Sequence, residues 1–432
     1  MKKHQQKKQK LNGYALYVVL MVAVLVALFS SAFILLTFYF KSVEDKIQLE
    51  RKLMENANSG IQYLLSAESI KSDVGNSAEI IDLYENGEDS VALKTAAWGL
   101  YQYITAKAIH GNQNYTANHL VGAKIKDRSL ALYLSNSNKE LGVTGTSRLK
   151  GNVKLPEKGI SRAYVEGKNF SGRVLVEGEQ SISGSNLPEI NAAQLLAVKS
   201  YLTGSFPFDA QLDYYDFVNP KRGGEVPTIS SDTTVLLYSE DVIELNDEQA
   251  SKITRKCIIQ SNQAIYLTSS KLANNCILVA PYIEVAGAVK KGVQLFAADS
   301  LVVQDGAELL FPSVVAISSF SINETAAQLK IGKRVKLYGS IVALQDQFQL
   351  KNNSLVTINE GSLIKGQIYA QGYLQLKDCK IEGQVFANKL ILKTSSSVYE
   401  NLLMDVAINI EELDSLYSGL LFKDNIGKAI IE

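Results

Sequence analysis

Ile265-Tyr266-Leu267, Ile283-Glu284-Val285 and Leu301-Val302-Val303 decide the fold: the triplets stand 18 residues apart, each setting two aliphatic residues around one other residue. A strand alternates faces with period two, so the flanking pair points one way and the central residue the other. A fixed repeat of this length marks a solenoid in which equivalent side chains stack into a continuous dry interior. Leu329-Lys330-Ile331, Val356-Thr357-Ile358 and Leu374-Gln375-Leu376 continue the series at spacings of 28, 27 and 18 residues. Two turns of the repeat therefore carry insertions of about ten residues each, which map to one face.

A second motif keeps the same register: Gly339-Ser340-Ile341-Val342-Ala343, Gly366-Gln367-Ile368-Tyr369-Ala370 and Gly383-Gln384-Val385-Phe386-Ala387. Glycine suits a tight corner between strands of one coil, and alanine a crowded interior. Weaker copies stand at Gly151-Asn152-Val153-Lys154-Leu155 and Gly172-Arg173-Val174-Leu175-Val176, which starts the solenoid near Gly142. Three short strands per coil account for the repeat length. The expected fold is mainly β, a right-handed parallel β-helix on a long N-terminal transmembrane helix with a small α+β region between. Residues 330–392 resemble bactofilins, polymer-forming bacterial β-helix proteins, through the Gly-Gln-Ile-x-Ala and Gly-Gln-Val-x-Ala units. That resemblance implies the fold more strongly than it implies filament formation.

Working toward the N-terminus, lysines at positions 2, 3, 7, 8 and 10 precede 27 uncharged residues, 14–40. A helix of that length is about 40 Å long and crosses a hydrocarbon core of about 30 Å with some tilt. The basic tail favours an N-terminus in the cytoplasm. Ser30-Ser31-Ala32 offers small residues for signal cleavage, but the apolar run continues past the length of a signal core. Beyond the span, Ile47, Leu53, Met54, Ala57, Ile61, Leu64 and Leu65 keep a helical period, and no proline interrupts residues 14–66. The basic leader, Gly13, the apolar stretch and the amphipathic extension with Asn58-Ser59-Gly60-Ile61-Gln62-Tyr63 resemble the N-terminus of type IV pilin-like proteins. That resemblance implies peptidase cleavage between Gly13 and Tyr14 and a glutamate at the fifth mature position. Val18 stands there instead, so a plain signal anchor competes with the pilin reading.

The chain then divides as 1–13 cytoplasmic basic tail, 14–40 transmembrane helix, 41–68 stem helix, 69–140 small α+β region, 141–186 first β-helix coils, 187–232 helix-and-loop insertion, 233–394 main β-helix and 395–432 C-terminal cap. In region 69–140 short strands alternate with turn signals at Asn86-Gly87 and His110-Gly111. In the insertion, Ala192 to Tyr201 has helical spacing, followed by an aromatic stretch over 206–217.

With 44 basic and 44 acidic residues the net charge is zero, which gives no drive toward nucleic acid. Cys257, Cys276 and Cys379 are too few for a disulfide framework and read as small core thiols. Enzymes built on β-helices gather carboxylates on neighbouring coils. The outward series Tyr266, Glu284, Val302, Lys330, Thr357 and Gln375 holds no such cluster, and His110 and His119 match no ligand motif. The expectation is a non-catalytic envelope protein without cofactor or metal, held by membrane lipid through residues 14–40 and partnered by an envelope protein or by itself. The alternative is a carbohydrate-binding adhesin or a polysaccharide-active β-helix enzyme, with Tyr266, Tyr369 and Phe386 as a contact strip for sugar rings.

Overall fold

The chain is mainly β with one long apolar N-terminal helix. The computed structural model describes residues 13–66, 79–82, 90–203, 212–216, 234–319, 326–345, 353–420, 422–423 and 427–431. These fall into two compact units, one within Met1–Ile61, Ile80–Ala92 and Ala106–Ala117, the other within Gln62–Glu79, Leu93–Thr105 and Asn118–Glu432. The expected turn at Asn86-Gly87, both loop insertions for the most part, and most of the aromatic stretch lie outside the described residues.

The dominant element of the first unit is α1 (Gly13–Ser66), 54 residues without interruption, which belongs to that unit as far as Ile61. Its apolar half is exposed along its whole length, and it is the one described helix long and apolar enough to cross a membrane. Farther on, Leu53, Ala57 and Ile61 are buried at every fourth position, the stripe that the 3.6-residue period aligns on one face. Ile47 and Met54, expected on that stripe, are exposed.

Region 69–140 differs from the short-stranded α+β expectation. Ser90–Trp98, Tyr101–His110 and Gln113–Lys124 are strands of 9, 10 and 12 residues, consecutive in one sheet, and no helix occurs there among the described residues. Tight turns at Gly99 and Gly111, both with positive φ, join them. Residues 121–124 also pair antiparallel with the C-terminal strands Ser418–Gly419 and Lys428–Ile430.

The second unit is organised by parallel ladders. Ile243, Ile265, Ile283, Leu301, Leu329, Val356, Leu374 and Leu390 pair in register from strand to strand, and all are buried. The single column expected from the triplets is therefore present. A second column runs Leu237, Ile259, Leu278, Leu295, Val315, Ile341, Ile368 and Val385. A third runs Val289, Leu309, Leu337, Ile364 and Ile381. Each tier thus contributes three short strands to one core. Burying each aliphatic side chain contributes about 1.5–3 kcal/mol, so the columns dominate the stability of this unit.

Glycines 339, 366 and 383 stack on one another with φ of 148°, 144° and 157°. A Cβ on Gly366 would lie 1.9 Å from the Gly339 carbonyl oxygen, so the close tier spacing at this corner excludes any side chain.

The order of the tiers departs from the sequence expectation at one end. Val385 pairs with Leu132, and Leu132 with Val153, while Ile381 pairs with Ile408, and Ile408 with Leu149. The tier after Lys380–Lys393 is therefore built from two pieces of chain, Leu130–Leu134 and Ala407–Asn409. Ala407–Asn409 thus lies inside the stack instead of capping it, and the strands over 148–155 and 176–182 form that end. The repeat at Gly172 is also misplaced: Val176 pairs with Leu149, which sets Gly178, not Gly172, against Gly151. Besides α2 (Ala192–Thr203), the insertion supplies a strand, Leu212–Asp216, that pairs parallel with Thr234–Ser239 and lengthens the stack.

Candidate functional site

Tyr369 and Phe386 are adjacent in register, at the outward position of the strand whose inward residues are Ile368 and Val385. Their outward parity matches the sequence pattern, but neither is a surface residue: Tyr369 is 1% exposed and Phe386 5%. A second hydrophobic cluster covers this face, built from α2, Ile190, Phe422, Leu420, Trp98 and Leu100. The Phe422 ring centroid lies 5.9 Å from that of Tyr369 and 5.1 Å from that of Phe386. The Tyr369 hydroxyl donates to the Pro188 carbonyl at 3.0 Å, and burial pushes its pKa up to about 12. The contact strip is thus corrected for these two residues. Segments distant in sequence supply the cover, and the local alternation of the strands says nothing about them.

Tyr266 stands apart from that pair and is 36% exposed, as the outward column predicts. It pairs with Glu284 on the neighbouring strand, and its ring lies 5.9 Å from Tyr282. Tyr282 donates its hydroxyl hydrogen to Glu284 Oε2 at 2.6 Å, and Gln304 Nε2 donates to Glu284 Oε1 at 2.8 Å. Loss of water and the nearby carboxylate raise the Tyr282 phenol to about 12. The result is two aromatic rings beside a carboxylate; Tyr266 and Glu284 belong to the outward series of the repeat, and Tyr282, just before its triplet, does not.

The Tyr369 edge also borders a groove of about 580 Å³ between the strands and the start of the insertion. Its polar lining is largely amide: Gln345, Asn353, Gln371 and Asn388, with Glu189 at the insertion side. These amides are held in place by one another. The Gln345 backbone N–H donates to Gln371 Oε1 at 2.8 Å, its Nε2 donates to Asn353 Oδ1 at 2.6 Å, and Asn388 Nδ2 donates to the Gln371 carbonyl at 3.1 Å. Fixed amide donors and acceptors beside a tyrosine suit a neutral hydroxylated ligand better than a charged one. The sequence offered no signal for this groove, because its walls come from three tiers and residues 186–195.

Lys256 is another feature absent from the sequence reading. The residue as a whole is exposed, yet its ammonium lies over the Tyr103 ring, 3.2 Å from the centroid, and 5.2 Å from that of Trp98. Loss of water around the amine lowers its pKa to about 8, while the ring faces favour the cation. His110 closes the strand Tyr101–His110 and His119 sits within Gln113–Lys124. Among the described residues no group of three His, Cys, Asp or Glu side chains gathers to hold a metal ion. Gly13 begins α1 and Tyr14 is exposed on it, so the peptide bond between them adjoins the basic tail, whose residues 1–12 lie outside the described part.

No protein-family model matches the chain, and no curated protein matches it. Among solved structures, the competence-associated pilin ComZ from Thermus thermophilus is similar over 88% of this chain and 96% of its own, at 10% identity and a TM-score of 0.26. A superposition at that score is too poor to establish a common fold.

Proposed function

We propose that this chain is a non-catalytic, single-pass membrane protein of the bacterial cell envelope, serving as a structural scaffold or pilin-like accessory component of a surface or secretion assembly. The observation that carries the reading is α1: one helix of 54 residues whose first half is apolar and exposed and whose second half carries a buried stripe. An apolar surface of that extent needs lipid or a partner helix around it. The lysines of the first ten residues favour an N-terminus in the cytoplasm, with the rest of the chain outside. The parallel stack is read as a right-handed parallel β-helix, the hand following from the right-handed preference of connections between parallel strands. A rigid ladder of this kind acts by geometry, holding contact surfaces at fixed spacing.

Deletion of residues 14–40 tests the anchor. The full chain should stay in the membrane pellet through alkaline carbonate and the deleted chain should not; retention of the deleted chain in the washed pellet contradicts the reading. Intact-mass measurement separates its two forms. A mature chain beginning at Tyr14 supports pilin-like processing, and retention of the lysine tail leaves a plain signal anchor.

A second reading, a carbohydrate-binding adhesin, is favoured by the amide groove and by the Tyr266–Tyr282 pair. Saturable binding to a neutral glycan that Gln371→Ala or Tyr266→Ala weakens at least tenfold would support it. No binding across a glycan panel would remove it.

A further inference from the structure

Cys257 and Cys276 occupy neighbouring tiers of the stack. Ile258 pairs with Ile277, and the Ile277 N–H donates to the Cys257 carbonyl at 2.9 Å, so the two cysteines stand opposite each other one position earlier. Both are buried in the same hydrophobic core, and their sulfurs lie 3.8 Å apart. Adjacent strands bring such residues to a Cα separation of about 4.8 Å, inside the range that a disulfide spans. Packing alone does not require sulfur here, because Val293 fills the next position of the column beyond Cys276. Cys379 is also buried and free, but no cysteine contact is found for it among the described residues.

We propose that Cys257 and Cys276 form a disulfide in the mature protein. The inference rests on the extracytoplasmic placement proposed above, since structural disulfides persist in oxidising compartments. The oxidant is a protein or small-molecule disulfide of that compartment. One cysteine thiolate attacks it to give a mixed disulfide and release a thiolate. The second cysteine thiolate then attacks the first cysteine sulfur and expels the remaining half of the oxidant. Two protons and two electrons leave the cysteine pair, and the oxidant ends as two thiols. Both sulfurs are closed off from solvent in the folded core, so the reaction belongs to the stage before the two strands dock. The bridge then ties one tier to the next within the core and closes a loop that is one repeat long.

The test uses the full chain taken from its own membranes, alkylated under denaturing conditions and digested without reductant. The expected result is one cross-linked species joining the Cys257 and Cys276 peptides, lighter than their sum by two hydrogen atoms, with Cys379 alkylated. Cys257→Ala should abolish the species and leave Cys276 alkylated, whereas Cys379→Ala should leave it intact. Alkylation of all three cysteines overturns the proposal. Protease accessibility of a C-terminal tag on the same membranes then separates the causes: reduced cysteines on an outward-facing chain refute the disulfide alone, and reduced cysteines on a chain facing the cytoplasm refute the placement as well.

Discussion

Gln367 donates from Nε2 to Oε1 of Gln384 on the adjacent strand at 2.8 Å, and both amides are buried. The Gln384 amide donates in turn to the carbonyls of Asp127 and Leu130, while Gln367 Oε1 accepts the Leu420 N–H at 2.7 Å. One tier away, the Tyr417 hydroxyl donates to the Gly339 carbonyl at 3.0 Å, and Ser340 Oγ lies 3.1 Å from that hydroxyl. The residue after each stacked glycine therefore fastens a distant stretch of chain to the ladder. Gln384→Ala should destabilise the protein by about 2–4 kcal/mol, because the carbonyls of Asp127 and Leu130 lose a donor and the buried Gln367 amide loses its acceptor, at about 1–3 kcal/mol each with partial relaxation. Denaturant titration checks it, and a loss under about 0.5 kcal/mol, as at an ordinary surface site, would contradict the clamp.

Gly366→Ala should destabilise far more than Gly159→Ala. Both glycines have positive φ, but a Cβ at 366 meets the Gly339 carbonyl at 1.9 Å, and one at 159 meets nothing within 4 Å. The second change costs about 1–2 kcal/mol of backbone strain. The first adds a steric clash that only a shift of the tiers relieves, so a loss above about 3 kcal/mol or failure to fold is expected. Equal effects in thermal melts would refute the stacked corner.

Tyr369→Ala should act on stability and Tyr266→Ala should not. The first empties a buried site beside Phe386 and Phe422 and leaves the Pro188 carbonyl without its donor, a loss of about 3–5 kcal/mol. The second removes a ring at the surface and should stay within about 1 kcal/mol. The reverse order in melting temperature would mean that the covering segments do not pack on this face.

These contrasts show what the sequence could carry. Aliphatic residues at a fixed period reveal the inward column, because every tier repeats the same two-residue alternation against the same neighbours. The same alternation places Tyr369 and Phe386 on the outside of their strands, correctly, but their burial depends on Ile190 and Phe422. Those covering residues lie far away in sequence and follow no repeat. The split tier was equally hidden. Leu132 and Ile408 look like ordinary strand residues, and nothing local says that both pair with Lys380–Lys393. The amide groove depends on the same long-range assembly.

Lys256 should acylate ahead of Lys333 and Lys380 near pH 8. Lost hydration lowers its pKa to about 8 from the ordinary 10.5, whereas neighbouring carboxylates raise the other two. A lowered lysine pKa also fixes the sign of its stability effect. Between about 8 and 10.5 the unfolded chain holds the proton that the folded chain has released, so this group's contribution grows more favourable as pH rises through that window. Peptide-resolved labelling over a pH series measures the order directly. Labelling of Lys256 after the other two would contradict its desolvated position.

The proposed membrane topology rests on residues 14–40 and the lysines before them, and protease protection of a C-terminal tag in right-side-out and inverted membrane vesicles tests it most directly. The proposed topology predicts tag cleavage in right-side-out vesicles and protection in inverted ones, with α1 resistant to carbonate extraction in both. Protection in right-side-out vesicles, or release of the intact chain by carbonate, would contradict it.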